Sequence, residues 1–372
     1  MPPTRRMGNV HPATPRYANC CTFAAQRQLP AISYIGMAIT LGINGLGRIG
    51  KLVLRLAHEH PGIDVVQIND MMDTPLMAHL IRYDSLHGPF AHQVEHDEQR
   101  IYIDGQPILV THELSPDRIL PSGGGGVDVV VDSSGRFKTA PLLSGHLRNG
   151  ARRVILSCPP DDDSIERTVV LGVNDHLLQP SDSIVSNASC TTNCVALMLK
   201  VLCDDFGFER GFMNTVHPTT NNQNLQDGYH ADPRRARCAI NNIIPTTSSA
   251  ISTVERVMPE LRGRFDGFAT RVPVADCSFV ELTALLGRSV TVDEINEAFR
   301  RQATGALSAY LEYTADPLVS SDITNNPHSA IFDALSTKVL GGNMVQLLAW
   351  YDNEFGYASR IVDLVARIGG CK

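Results

Sequence analysis

A chain of 372 residues is too long for one ordinary hydrophobic core, and at about 150 residues per domain it is expected to form two. With 43% hydrophobic and 19% charged residues it has the composition of a globular α/β protein, and no apolar run reaches the roughly 18 residues of a membrane span. A net charge of −7 leaves no global basic footprint and points away from nucleic acid as an obligatory ligand; nine irregularly spaced cysteines make no secreted disulfide framework and favour a reducing compartment.

Residues 1–36 carry Arg5, Arg6, Arg16 and Arg27, no acidic residue and no apolar signal core. The segment up to Met37 reads as a disordered tail, with an organelle transit peptide as the alternative. After it, "AITLGINGLGRIGKLVLRLAHEHPGIDVVQIND" passes from a short apolar strand through Gly45, Gly47 and Gly50 into a helix, then into a second strand. G-x-G-x-x-G between strand and helix is a dinucleotide-binding pattern. Gly45 permits the turn, Gly47 lets the backbone approach a pyrophosphate, Gly50 lets helix and strand pack, and the helix N-terminus supplies N–H groups to the anion. Asp70, closing the second strand, is placed to bind ribose hydroxyls, unless it is merely a solvated turn residue. Downstream, "RIYIDGQPILV" predicts a hairpin around Asp104-Gly105, "VDVVVDSSG" and "ARRVILSCP" buried strands, and "APLLSGHLRNG" the helix between them. "PSGGGG" reads as a loop, since no helix follows it.

"SNASCTTNC" sets two cysteines four residues apart. The helical spacing of Val195, Met198, Leu199 and Leu202 puts Cys190 in the first turn of a helix, where its thiol is expected to fall from about 8.5 into the range of roughly 3.5–7.5, while Cys194 packs one turn later. No second Cys or His pair completes a zinc site, so no metal is expected, and a disulfide within one helix would be strained. A nucleophile remains, and it needs a base. His217 in "GFMNTVHPTTNNQ" ends a β-like run ahead of a polar loop; on the residues alone, a structural histidine is its commoner reading.

Taken together, "GINGLGRIG", "QIND", "YDSLHG", "SNASCTTNC", "TVHPTTNNQ", "RRARCAINNIIPTTSSA", "RVPV", "PHSAIFDA" and "WYDNEFGY" resemble, in order over residues 38–372, the phosphorylating glyceraldehyde-3-phosphate dehydrogenases. The related erythrose-4-phosphate dehydrogenases share most of these segments. The resemblance implies a Rossmann-type NAD-binding domain over 38–188, completed by a C-terminal helix at 354–372, and an α+β catalytic domain with a mixed or antiparallel sheet over 189–353. It implies Cys190 as nucleophile and His217 as its activating base. Ser189, Thr191 and Arg234 would surround the attacking phosphate, with Ser248 and Ser249 in the same loop system, and Thr220 and Arg271 would hold the substrate's own phosphate. Arg48, Ile49, Asp70, Ser134, Ser157 and Asn353 would contact the cofactor. A homotetramer in the cytoplasm, using NAD, a small aldehyde and inorganic phosphate and no membrane, is the implied setting. Thr220 implies glyceraldehyde 3-phosphate rather than erythrose 4-phosphate, whose enzymes tend to carry methionine there. Three departures stand out: Ser249 replaces a glycine, Leu114 an arginine near the adenine, and Gly228-Tyr229 the Leu-Pro of strict NAD users. A hydrolytic aldehyde dehydrogenase would need no second phosphate pocket, and an interaction protein on the same fold would need none of the reactive set.

Overall fold

Two sheets organise the chain, and the sequence assigns their strands in two consecutive blocks. The computed structural model describes residues 38–120 and 126–370; the expected N-terminal tail, most of the "PSGGGG" loop and the last two residues of the expected C-terminal helix lie outside them. The first sheet holds β1 (Ile39–Asn44), β2 (Ile63–Asn69), β3 (Val94–His96), β4 (Arg100–Ile103), β5 (Gln106–Thr111), β6 (Val129–Asp132), β7 (Arg153–Leu156), β8 (Arg167–Thr168) and β9 (Ile184–Ser186), in the order β3-β4-β5-β2-β1-β6-β7-β9-β8. Its centre is parallel, and β6 and β7 are fully or almost fully buried runs, as a sheet covered on both faces requires. Helices α1 (Arg48–His58), α2 (Thr74–Arg82) and α3 (Ala140–Arg148) accompany these strands.

The expected hairpin forms, with Ile103 opposite Gln106 and Asp104 and Gly105 both at positive φ, 49° and 80°. Two successive left-handed residues make the turn whose twist matches the strands, and Asp-Gly tolerates it. Order reverses at β1, whose neighbours β2 and β6 carry the chain to opposite sides, leaving a crevice at the strands' carboxyl ends.

The second sheet is mixed. It comprises β10 (Phe208–Pro218), β11 (Ile244–Thr246), β12 (Phe265–Val272), β13 (Ser278–Leu286), β14 (Leu311–Thr314), β15 (Ala330–Asp333), β16 (Lys338–Leu340) and β17 (Met344–Tyr351), with β11-β12-β10-β13-β17-β15-β14 in line and β16 beside β17. Helices α4 (Cys190–Phe206), α5 (Ala250–Val257) and α6 (Val292–Ala303) belong with it. Helix α4 is buried nearly all round, and Val195, Leu199 and Leu202 lie in one core with Val280, Leu347 and the Phe299–Phe332 ring stack, whose centroids are 3.9 Å apart. Helix α7 (Phe355–Gly369) leaves β17 and packs Ile361, Val362, Leu364 and Val365 into the first sheet's core beside α1. The chain thus returns to where it began. Cys190 packs against both cores and stands at their junction.

Candidate active site

Strand β1 ends at Asn44, and the glycine turn follows. Gly45 has φ 92°, and a β-carbon there would lie 2.6 Å from the Ser134 backbone; one on Gly50 would collide with the Gly45 carbonyl. Neither position accepts another residue without displacement. Around Gly47 there is open space, and α1 starts there without a side-chain cap, so its first N–H groups have no intrahelical partner. That is an anion cradle at a helix N-terminus. Arg48 contributes only its backbone to it, because its guanidinium pairs with Asp84 at 2.6 Å and Glu354 at 2.5 Å.

Asp70 stands just beyond β2. Its Oδ2 accepts from the Leu46 N–H at 2.6 Å and its Oδ1 from Met72 at 3.0 Å, which orients the carboxylate next to the glycine turn and leaves lone pairs for hydroxyl donors. Ser134 and Ser157 follow the carboxyl ends of β6 and β7; Ser134 Oγ donates to Asp132 at 2.7 Å and the Ser157 N–H donates to the Asp132 carbonyl at 3.0 Å. Asn353, between β17 and α7, accepts from Ser278 Oγ at 2.9 Å through Oδ1. Leu114 is exposed, at 61% of its surface, so the lost arginine leaves an apolar side chain at that position.

The reactive pair comes from different layers. Ser189 caps α4, its Oγ accepting from the Thr192 N–H at 3.0 Å, and Ala188 just before it is held at φ 57°, a left-handed position that a non-glycine residue rarely takes. Cys190 is therefore the first helical residue. His217 lies on β10 opposite Arg271 of the parallel strand β12, and its Nε2 is 3.7 Å from Cys190 Sγ. Its Nδ1 is 2.9 Å from the Pro218 carbonyl and 2.6 Å from Arg271 Nη1, which also donates to Pro218 O at 2.9 Å. A guanidinium only donates, so in this arrangement Nδ1 accepts.

One expectation is overturned here. Burial pushes the Cys190 thiol above its ordinary value, outweighing the Arg271 charge and the Thr191 hydrogen bonds that favour the thiolate. Burial, and then the Arg271 charge, bring His217 down to about 3. Both shifts favour a neutral thiol beside a neutral imidazole in the ligand-free protein. The helix N-terminus is present as expected, but the packing of the half-buried cysteine between the two cores outweighs what the N–H groups contribute. Cys194 is buried, with its thiol raised well above normal, as a packing residue should be.

The expected phosphate ligands are partly assembled. Arg271 sits beside the pair, and Thr220 is in the half-buried loop after β10. Thr191 Oγ1 instead meets Tyr351 Oη at 2.8 Å, and that oxygen lies 2.9 Å from Thr215 Oγ1, a buried hydroxyl chain beneath the pair. Ser249 takes φ −68°, ψ −11° at the start of α5, an ordinary helical conformation, so the glycine it replaces was not needed for the backbone. Ser248 Oγ accepts from the Ala250 N–H at 3.3 Å. Arg234 is exposed and donates to Pro245 O at 3.3 Å, whereas its half-buried neighbour Arg235 donates to Thr246 Oγ1 at 2.9 Å, and it is Arg235's charge that bears on Arg271. In "RRAR" an irregular loop offers no periodicity to choose between adjacent arginines. Tyr351 was missed for a related reason: a tyrosine at a strand end is an ordinary core residue until its hydroxyl partners are known.

Comparison with known proteins agrees with this arrangement. Residues 39–140 match the family model of the glyceraldehyde 3-phosphate dehydrogenase NAD binding domain, and residues 189–353 that of the same family's C-terminal domain. The chain belongs to the glyceraldehyde 3-phosphate dehydrogenase family. Its relatives include the family members named glyceraldehyde-3-phosphate dehydrogenase 1 from Bacillus subtilis, 45% identical over 89% of this chain and 98% of that one, and glyceraldehyde-3-phosphate dehydrogenase from Mycobacterium avium, 47% identical over 90% and 99%. A third, from Geobacillus stearothermophilus, is 46% identical over 89% of this chain and 98% of its own. Membership in the glyceraldehyde 3-phosphate dehydrogenase family brings with it the NAD-binding domain, whose glycine turn, open helix N-terminus and Asp70 carboxylate fit a dinucleotide.

Proposed function

We propose that the chain oxidises glyceraldehyde 3-phosphate to 1,3-bisphosphoglycerate, using NAD and inorganic phosphate. The observation that carries this reading is Cys190 Sγ at the start of α4, 3.7 Å from His217 Nε2, with Arg271 beside the imidazole. Once Arg271 turns from His217 Nδ1 to the substrate's phosphate, Nδ1 carries the ring proton toward the Pro218 carbonyl and Nε2 is left free; it takes the thiol proton as sulfur bonds to the aldehyde carbon, returns it to the oxygen, and accepts it again as the carbon is oxidised. NAD, when bound, receives the hydride from that carbon. Inorganic phosphate then attacks the acyl thioester, the carbon–sulfur bond breaks, the phosphate's proton goes to sulfur, and His217 releases its own to water.

In this reading Gly45, Gly47, Gly50 and the backbone of Arg48 and Ile49 bind the pyrophosphate, Asp70 the ribose, and Ser134, Ser157 and Asn353 the nicotinamide side. Thr220 and Arg271 hold the substrate phosphate, and Ser189, Thr191, Ser248, Ser249 and Arg235, in place of Arg234, line the path of the attacking one. Placing hydroxyls and arginines there, rather than a base that activates water, conserves the oxidation energy as an acyl phosphate. We further infer domains at 38–188 with α7 and at 189–353, a homotetramer, and a cytoplasmic setting; among the described residues no helix is long and apolar enough to cross a membrane. The test is steady-state kinetics of purified protein on glyceraldehyde 3-phosphate and erythrose 4-phosphate, with NAD or NADP, with and without phosphate. Phosphate-dependent reduction of NAD, faster on the three-carbon aldehyde, is expected. Equal or better use of erythrose 4-phosphate, or turnover unaffected by phosphate, would overturn it.

A further inference from the structure

On the far side of α1 from the glycine turn, three segments converge that the proposed reaction does not use. His58 is the last residue of α1, His92 precedes β3, and Asp104 is the left-handed turn residue between β4 and β5. Asp104 Oδ2 lies 2.6 Å from His92 Nδ1 and 3.4 Å from His58 Nε2, and the three donor atoms lie within 4.8 Å of one another. We propose that His58, His92 and Asp104 form a binding site for a divalent transition metal.

Chemistry supports the choice of ligand. Two imidazoles and one carboxylate form a nitrogen-rich set of borderline softness, suited to Ni²⁺, Cu²⁺, Zn²⁺ or Co²⁺ rather than to Mg²⁺ or Ca²⁺. Metal–ligand bonds of about 2.0–2.2 Å place neighbouring ligands about 3.3 Å apart in a tetrahedral site, so the 3.4 Å separation already fits and the 2.6 Å one must open by less than about 1 Å. The rings are also held. Phe90, buried, packs against both imidazoles with centroids 6.1 and 4.7 Å away, and Glu59 Oε1 lies 3.8 Å from His92 Nε2, the nitrogen that faces away from Asp104. At that distance Glu59 makes no hydrogen bond to the ring, but its negative charge adds to the attraction of the site for a cation. Among the described residues no Lys or Arg pairs with Asp104; the nearby Arg55 guanidinium donates to the Ile81 and Gly88 carbonyls. The two histidines are largely covered while Asp104 is about half exposed, which leaves coordination positions open to water.

The full chain, with reactive thiols first capped by iodoacetamide and metals removed with EDTA and the chelator dialysed away, is titrated with ZnCl₂ by calorimetry and by thermal unfolding. One saturable site is expected, with a rise in melting temperature. His92→Ala and Asp104→Asn should each weaken it at least tenfold and abolish the rise, while His96→Ala, an exposed histidine outside the cluster, leaves both unchanged. Should His92→Ala fail to fold, Asp104→Asn decides, because asparagine tolerates the left-handed turn and keeps an acceptor for the Gln93 N–H. No saturable binding, or binding unchanged in Asp104→Asn, would overturn the proposal.

Discussion

Replacing Arg271 with leucine separates two roles that its position makes possible. In the ligand-free protein Nη1 donates to His217 Nδ1 at 2.6 Å and to Pro218 O at 2.9 Å. If the guanidinium instead binds the substrate's phosphate, two charge-assisted hydrogen bonds of about 1.5–3 kcal/mol each are gained, and release of the His217 and Pro218 bonds offsets about 1 kcal/mol each. The net of about 1–4 kcal/mol corresponds to a loss on the order of five- to a thousandfold in kcat/KM for glyceraldehyde 3-phosphate. Glyceraldehyde without a phosphate gains nothing from that fork and should lose less than about threefold. Burial and then the Arg271 charge hold His217 at about 3, so removing that charge makes the imidazole a better proton acceptor and offsets part of any loss. The assay is kcat/KM for both aldehydes with wild type and Arg271→Leu. Equal losses on both would refute the phosphate-binding role and assign Arg271 to positioning His217.

Other outcomes follow from the same groups. Because burial raises the Cys190 thiol, its alkylation by iodoacetamide in the ligand-free protein should increase about tenfold per pH unit from 7 to 9, read by peptide mapping; a plateau near pH 6 would refute this. Asp70→Ala should raise the NADP-to-NAD ratio of kcat/KM by about tenfold or more, since a carboxylate beside the ribose repels a 2′-phosphate; an unchanged ratio would remove Asp70 from the cofactor site. Asp276 is buried, and burial together with the neighbouring Asp352 raises it to about 7, outweighing the Cys277 backbone and His87, whose Nε2 lies 3.7 Å from Oδ2. A raised carboxyl binds its proton more tightly in the folded than in the unfolded chain, so the protein should lose stability as pH rises from about 4 to about 7. Asp276→Asn should flatten that slope in urea unfolding and be the more stable form, by about 1–2 kcal/mol, at pH 8; an unchanged slope would count against the assignment.

Local signals determined a good part of this protein. The glycine turn, the Asp104-Gly105 hairpin, the buried strands of the first sheet and the N-terminal place of Cys190 on its helix are all legible, because each depends on spacing, φ preference or capping among residues close in the chain. Side-chain partnerships across the chain were decided only by the tertiary structure. Cys190 and His217 are 27 positions apart, and their protonation follows from burial that no local pattern reveals, which is why the thiol is raised where the helix start alone argues for lowering. That Arg235 is half-buried while Arg234 is exposed, and that Thr191, Tyr351 and Thr215 share a hydroxyl chain, depends on which side chains a loop and a strand end turn inward. The same holds for His58, His92 and Asp104: scattered over 47 positions without a recurring spacing, they converge only because a parallel sheet brings the end of α1 beside the turn of the edge hairpin.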